Sequence, residues 1–279
     1  MPRYGDDVPA TGRLSFPQIS SHYSSMATVP LVYFILGTPG SGRRELVRDL
    51  VENGLAAEDR ALVLVAEGEA ADVAEEKLAL RAGTEIRRCA WTATALPDLK
   101  LPEGGTVFFV ADSHADPITQ IESLKPWLVQ HGAALARIIT VVDCQFAAEH
   151  PALRHWYEAG IHFSDVVILT KREGVANKWI SDFLRHYHDL CSPSLFIQLK
   201  KGGLPNPALV LDPLPRRISQ YFEEEEDLSG IDIETDDEED VPEGEEDDGA
   251  PKPEIYFERL RSGHRAKPLP DLRDYLPKK

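Results

Sequence analysis

Cysteine and methionine are scarce in this chain of 279 residues, and no secretory leader pattern opens it. The three cysteines, Cys89, Cys144 and Cys191, are odd in number and widely spaced, which excludes a disulfide framework. Together these features point to a reducing cytoplasm. Only two methionines occur, and Met26 stands just before the first apolar run, where it is an alternative start for the chain. No uninterrupted apolar run reaches the roughly 20 residues that a membrane helix needs, so no membrane partner is expected. Lys and Arg are missing altogether between Arg217 and Lys252, while Glu223 to Asp248 holds 17 Asp and Glu. With that tract set aside, 30 acidic residues face 30 basic ones, so the whole net charge of −17 sits in one segment. No broad basic surface is left, which excludes nucleic acid as the expected partner.

What is present is enough apolar sequence, 42%, for a substantial core. Residues 1–28 are polar and rich in Ser, Pro and Gly, and read as a flexible extension. From Leu31 onward short apolar runs alternate with longer amphipathic ones. Strands are expected at 31–36, 61–66, 84–88, 106–111, 137–142, 166–169 and 195–199. Helices are expected at 45–53, closed by Gly54, at 70–81, closed by Gly83, and at 117–130, capped by Asp116 with Pro117 in the first position. Further helices are expected at 146–159 and 176–190, and residues 216–222 read as the end of another. Strands separated by helices argue for right-handed βαβ units, hence a doubly wound, mainly parallel α/β sheet spanning 29–222. Residues 223–250 form an acidic low-complexity tract that cannot bury enough apolar surface to order itself. Residues 251–279 are a short Pro-rich tail with Ile255, Tyr256, Phe257, Leu260 and Tyr275 as anchors.

One glycine-rich turn carries chemistry. Gly37-Thr38-Pro39-Gly40-Ser41-Gly42-Arg43-Arg44 directly follows an expected strand and precedes a helix. The phosphate loop of nucleotide-binding proteins reads G-x-x-x-x-G-K-[ST] in that setting, its curled backbone turning successive N–H groups toward an anion at a helix start. Gly37, Gly40, Ser41, Gly42, Arg43 and Arg44 are therefore the candidate phosphate-binding residues. Arg43 stands in the Lys place and keeps the charge on a longer planar fork. Arg44 stands where a hydroxyl normally holds Mg²⁺, and a guanidinium repels a cation, so Mg²⁺ is not expected in the usual way. The alternative is a purely structural turn from strand to helix.

Further motifs follow in order: Asp112-Ser113-His114-Ala115-Asp116-Pro117 after one strand, Val141-Val142-Asp143 ending another, and Phe163-Ser164-Asp165 leading through a strand to Thr170-Lys171-Arg172-Glu173. As a set they resemble the CobW-like GTPases, over about residues 29–200. That resemblance implies a phosphate-loop NTPase fold and GTP or GDP as the ligand, with members acting as GTP-driven metal chaperones or cofactor-assembly factors. It also implies a base-reading role for Thr170, Lys171 and Glu173, with Lys171 lying along the base and Glu173 accepting from it on a side chain one methylene too long. In the family's E-S-S-G-L-A-D-P the Glu falls on Val110 and the Gly on Ser113, which leaves Asp112 as the candidate catalytic acid, or as a plain turn residue. The family's metal-binding C-x-C-C is reduced to Cys89, and one thiolate is not a metal site. The histidines at 150, 155, 162, 186 and 188 lack evident Cys or carboxylate partners and read as surface or core residues, so no metal site is assigned.

Three readings stay open on these residues: a degenerate GTPase-fold protein with weak or Mg²⁺-independent nucleotide binding and little hydrolysis, acting as an interaction or accessory protein; an active GTP-binding NTPase or metallochaperone with a rewired loop; and an acidic-tail scaffold with no nucleotide. In the third, the acidic tract is a lure for a basic protein partner or for divalent cations; its alternative is a solubilising linker.

Overall fold

A computed structural model describes residues 29–92, 94–200, 203–223 and 254–276. The sequence expectations for 1–28 and for nearly all of 223–250 lie outside the described residues.

All seven expected strands form, and they join one sheet in the order β3-β2-β4-β1-β5-β6-β7. β1 (Leu31–Gly37) is central, between β4 (Thr106–Val110) and β5 (Ala134–Asp143), with β2 (Ala61–Ala66) and β3 (Thr84–Cys89) on one side and β6 (Val166–Thr170) and β7 (Leu195–Gln198) on the other. Every pairing is parallel. This is a doubly wound, parallel α/β sheet.

Helices cover both faces, which explains why β1, β2 and β4 are apolar along their whole length rather than alternating. The period-2 geometry of a strand still divides β1 between two cores. Tyr33 and Ile35 pack with Leu46, Val47 and Leu50 of α1 (Arg43–Asn53), whereas Val32, Phe34 and Leu36 pack with Ile118, Ile121 and Leu124 of α3 (Pro117–His131) and with Ala159 of α5 (Arg154–His162). A third cluster joins β5 and β6 to α4 (Cys144–Glu149), α5 and α6 (Asn177–Asp189) through Leu153, Trp156, Tyr157, Leu169 and Tyr187. α2 (Val73–Leu78) and α7 (Pro207–Leu211) are short and pack against α1.

Local chemistry sets the ends. Asp116 caps α3 by accepting from Thr119 N–H at 2.9 Å, with Pro117 at the first position, as expected. The helix expected at 146–159 is instead two, because Pro151 has no N–H to give and keeps His150 out of the helical region (φ −123°, ψ 74°). Gly54 does end α1, but not by a left-handed turn, since its φ is −111°. A Cβ there would lie 2.6 Å from Leu50 O and from Leu211 Cδ1, so close packing of α7 requires the glycine. The helix expected at 70–81 is trimmed to α2, and 216–222 is not helical: Arg216 N–H instead donates to the buried Asp165 carboxylate at 2.6 Å.

The tail segment 254–276 returns onto the α3–α5 face. Tyr256 is buried, Phe257 stacks on Phe163 with ring centroids 5.3 Å apart, and Arg259 and Arg265 both reach Glu122, at 2.9 and 2.8 Å. Of the expected anchors, Ile255 and Leu260 are exposed, and Leu272 is buried in their stead. Among the described residues no helix is long and apolar enough to cross a membrane.

Candidate functional site

The carboxyl edge of β1 delivers the glycine-rich loop to the place where strand order reverses, the usual ligand position of an open α/β sheet. Gly37 is obligatory by contact, because a Cβ would sit 2.9 Å from Val141 O and 2.8 Å from Ser41 Oγ. Gly42, at φ 92°, adopts a left-handed conformation at the start of α1. Ser41 N–H closes the turn on Thr38 O at 3.1 Å. Thr38 and Ser41 are fully buried, and Thr38 Oγ1 lies 3.3 Å from the hydroxyl of Tyr157 on α5. Ser41 Oγ is buried without a hydrogen-bond partner among the described residues.

Both loop arginines are committed to other elements. Arg43 reaches across the sheet edge to the ends of β2 and β4, where Nη1 donates to Ala111 O at 2.5 Å and Nη2 to Glu69 Oε1 at 2.7 Å. Both side chains of that pair are 3% exposed. Glu69 Oε1 also accepts from Ser113 N–H at 2.9 Å. Burial alone would raise the Glu69 carboxyl, but the Arg43 guanidinium and the Ser113 donor outweigh it and hold it down to about 2. Burial pulls Arg43 the other way, below its ordinary value, though Glu69 opposes this and an arginine keeps its charge at physiological pH. Arg44 turns to the start of α2: Nη1 donates to Glu75 at 2.8 Å and to Ala70 O, and Nε lies 3.1 Å from Asp72. Arg88 of β3 binds the same Glu75 at 2.8 Å, so the patch is a network of charges already paired.

Asp112 sits at the carboxyl end of β4, half-buried. Its Oδ1 accepts from His114 N–H at 2.9 Å, an Asx turn, while its own N–H and C=O are held by the Gln120 amide at 2.9 and 3.0 Å. Glu69, Asp112 and His114 bring ligand atoms within 4.8 Å of one another, a grouping that could hold a metal ion.

The second motif does meet the loop. Thr170 Oγ1 lies 2.8 Å from Ser41 O and 3.1 Å from Val142 O. A Cβ on Gly40 would lie 3.9 Å from Lys171 Nζ. That ammonium, however, pairs with the buried Asp143 carboxylate at 2.8 Å, and Lys171 holds a left-handed backbone, φ 46°. Glu173 is exposed, and its backbone carbonyl accepts from Gln145 Nε2 at 2.5 Å. Several histidines do have carboxylate partners, contrary to expectation: His155 and His186 flank Glu158 at 3.0 and 3.5 Å, and His162 meets Glu254 at 2.7 Å.

Glu69, Asp72, Glu75 and Tyr157 went unrecognised in the sequence. The available signal was Glu67-Gly68-Glu69, an acidic turn directly after a buried strand, opposite two arginines in place of Lys and Ser/Thr.

No family model and no curated protein matches the chain. Among solved structures it is similar to the Zn(II)-bound YjiA GTPase from E. coli, at 17% identity and a TM-score of 0.39, over 68% of this chain and 67% of that one. A Zn(II)-bound triple mutant of YjiA GTPase matches at 16% identity, the same TM-score and the same coverage. No activity or ligand is carried over from so distant a likeness.

Proposed function

We propose that this chain is a degenerate GTPase-fold protein of the CobW-like kind, binding nucleotide weakly and without Mg²⁺, hydrolysing it little, and acting as an interaction or accessory protein. The observation that carries this reading is the Arg43–Glu69 pair. The cation that should meet the β- and γ-phosphates is neutralised inside the protein, 2.7 Å from a carboxylate. Releasing it would leave a buried Glu69 unpaired, a penalty of about 3–5 kcal/mol that any phosphate contact must outweigh.

The residues present do not fit a Mg²⁺ ion of the usual phosphate-loop kind. Arg44 replaces the hydroxyl ligand, and its charge is tied to Asp72 and Glu75. What is left for an anion is the main-chain turn at 37–42 and the unpartnered Ser41 hydroxyl, which supports weak rather than tight binding. Lys171 is likewise engaged by Asp143, which supports loss of base recognition. The acidic tract then supplies the surface for a basic protein partner. Titration of the full chain with GTP, GDP and ATP, with and without Mg²⁺, tests the reading: affinities weaker than micromolar and indifferent to Mg²⁺ support it, and Mg²⁺-dependent turnover ends it.

A second reading, a rewired NTPase, is favoured by the Glu69, Asp112 and His114 grouping. On that reading a divalent ion sits there, away from the lost hydroxyl position. Glu69 is already bound to Arg43 and Ser113, so such an ion must compete with both. Single substitutions Asp112→Asn and His114→Ala that leave any turnover unchanged dismiss it.

A further inference from the structure

Beside the third core cluster, α6 on one side and α4, Pro151 and α5 on the other line a cavity of about 270 Å³. None of its lining belongs to the glycine-rich loop or to the 170–173 motif. The sequence makes it by placing aromatic residues one turn apart on α6: Trp179, Phe183 and Tyr187 follow the i, i+4 rule and share one face. Trp179 and Phe183 stack with centroids 5.3 Å apart and planes 18° apart, an arrangement that a third flat ring extends. Tyr157 of α5 forms the opposite wall. Its hydroxyl is held by Thr38, so the surface it offers is carbon.

The polar groups of this cavity are few and unequal. Asp182 is neutralised by Lys178 at 2.5 Å and faces Arg185 at 3.6 Å. Arg154 donates Nε to Glu158 at 2.8 Å and bonds His186 Nδ1 through Nη2 at 3.1 Å, and its Nη1 has no partner among the described residues. Its side chain lines the cavity and is 58% exposed. An apolar cavity of about 150 Å³ holds one benzene ring, so this volume suits two fused rings.

We infer that the α5–α6 cavity binds a bicyclic aromatic anion, its rings against Trp179, Phe183 and Tyr157 and its carboxylate on Arg154 Nη1. Aromatic walls with one converging polar donor are the usual composition of a small-molecule site, and a guanidinium N–H to carboxylate bond supplies orientation. The site is independent of the nucleotide reading, because no phosphate-loop residue lines it.

The test is isothermal titration of the full chain with 1-naphthoate, alongside 1-naphthalenemethanol and benzoate, backed by saturation-transfer NMR. One saturable site with sub-millimolar affinity is expected, with the uncharged alcohol and the single ring each weaker by about tenfold. Phe183→Ala should weaken naphthoate by at least about tenfold and Arg154→Gln by about fivefold. Arg154 is exposed, so its variant keeps the fold even if Phe183→Ala does not, and melting curves separate the two effects. No saturable binding, or equal affinity in wild type and Arg154→Gln, overturns the inference. Equal binding of acid and alcohol overturns the anion assignment. Affinity that falls as protein concentration rises overturns it in favour of a second copy of the chain seated in the groove.

Discussion

Arg43 and Glu69 meet at 2.7 Å beneath the carboxyl edge of the sheet, each side chain 3% exposed. One comes from the first turn of α1 and the other from the turn after β2, so the contact ties the glycine-rich turn to a strand two places away in the sheet. A cation placed by sequence to meet phosphate is thereby made part of the protein's own interior.

Glu69→Gln removes the charge partner and keeps the shape. Arg43 is then a buried, uncompensated cation, and stability should fall by about 3–5 kcal/mol in urea unfolding. The freed guanidinium should also tighten GTP binding by about tenfold in calorimetry, since an unpaired cation beside the loop gains most from an anion. A stable variant with unchanged affinity would contradict both expectations.

The same pair sets an acid limit. The Glu69 carboxyl is held down to about 2 in the folded chain, from an ordinary 4.5. A depressed folded value means stability that is fully present above about pH 4.5 and is lost as pH falls toward 2, amounting to roughly 3 kcal/mol. Urea midpoints measured from pH 6 down to pH 3 should fall in the wild type and fall less in Glu69→Gln. Parallel curves would show that other carboxylates govern acid unfolding.

Lys171 is the residue the base-reading motif keeps intact, yet its ammonium lies 2.8 Å from Asp143. Lys171→Met should change GTP affinity by less than about twofold, while lowering stability by about 1–2 kcal/mol because Asp143 is left buried and unpaired. Its capping bond to Phe146 N–H at 3.0 Å limits that loss. A large drop in GTP affinity with unchanged stability would restore the base-reading role.

Gly37→Ala tests the turn itself. The added Cβ meets Val141 O at 2.9 Å, a backbone atom that cannot step aside without moving β5. A loss of about 1–3 kcal/mol is expected in thermal or urea unfolding. Gly174→Ala has only open space around its Cβ, but its φ of 81° still strains it, so the smaller loss of about 1 kcal/mol there separates backbone strain from collision.

The parallel sheet was legible because its strands are buried on both faces and therefore appear as continuous apolar runs such as Leu31 to Leu36. The start of α3 was legible because Asp116-Pro117 pairs a capping side chain with a residue that needs no N–H donor partner. The split between α4 and α5 is hidden in the sequence because the amphipathic period runs on through Pro151, the residue that causes it. Gly54 was recognised as a helix end for a reason that does not apply: its backbone is ordinary and the contact with Leu211 decides it. The fate of Arg43 was beyond local pattern. Its partner lies 26 residues away in the turn after β2, a strand that is not a neighbour of β1, and only the strand order brings the two together. The Arg44 contacts with Asp72 and Glu75 were hidden for the same reason.

The most direct measurement is GTP binding and phosphate release by wild type and Arg43→Gln, each with and without Mg²⁺, at a temperature where both are folded. If Arg43 is a structural partner of Glu69, the substitution changes GTP affinity by less than about twofold, and neither protein releases phosphate faster with Mg²⁺. Mg²⁺-stimulated release by the wild type that disappears in Arg43→Gln would show that the arginine serves the phosphates after all.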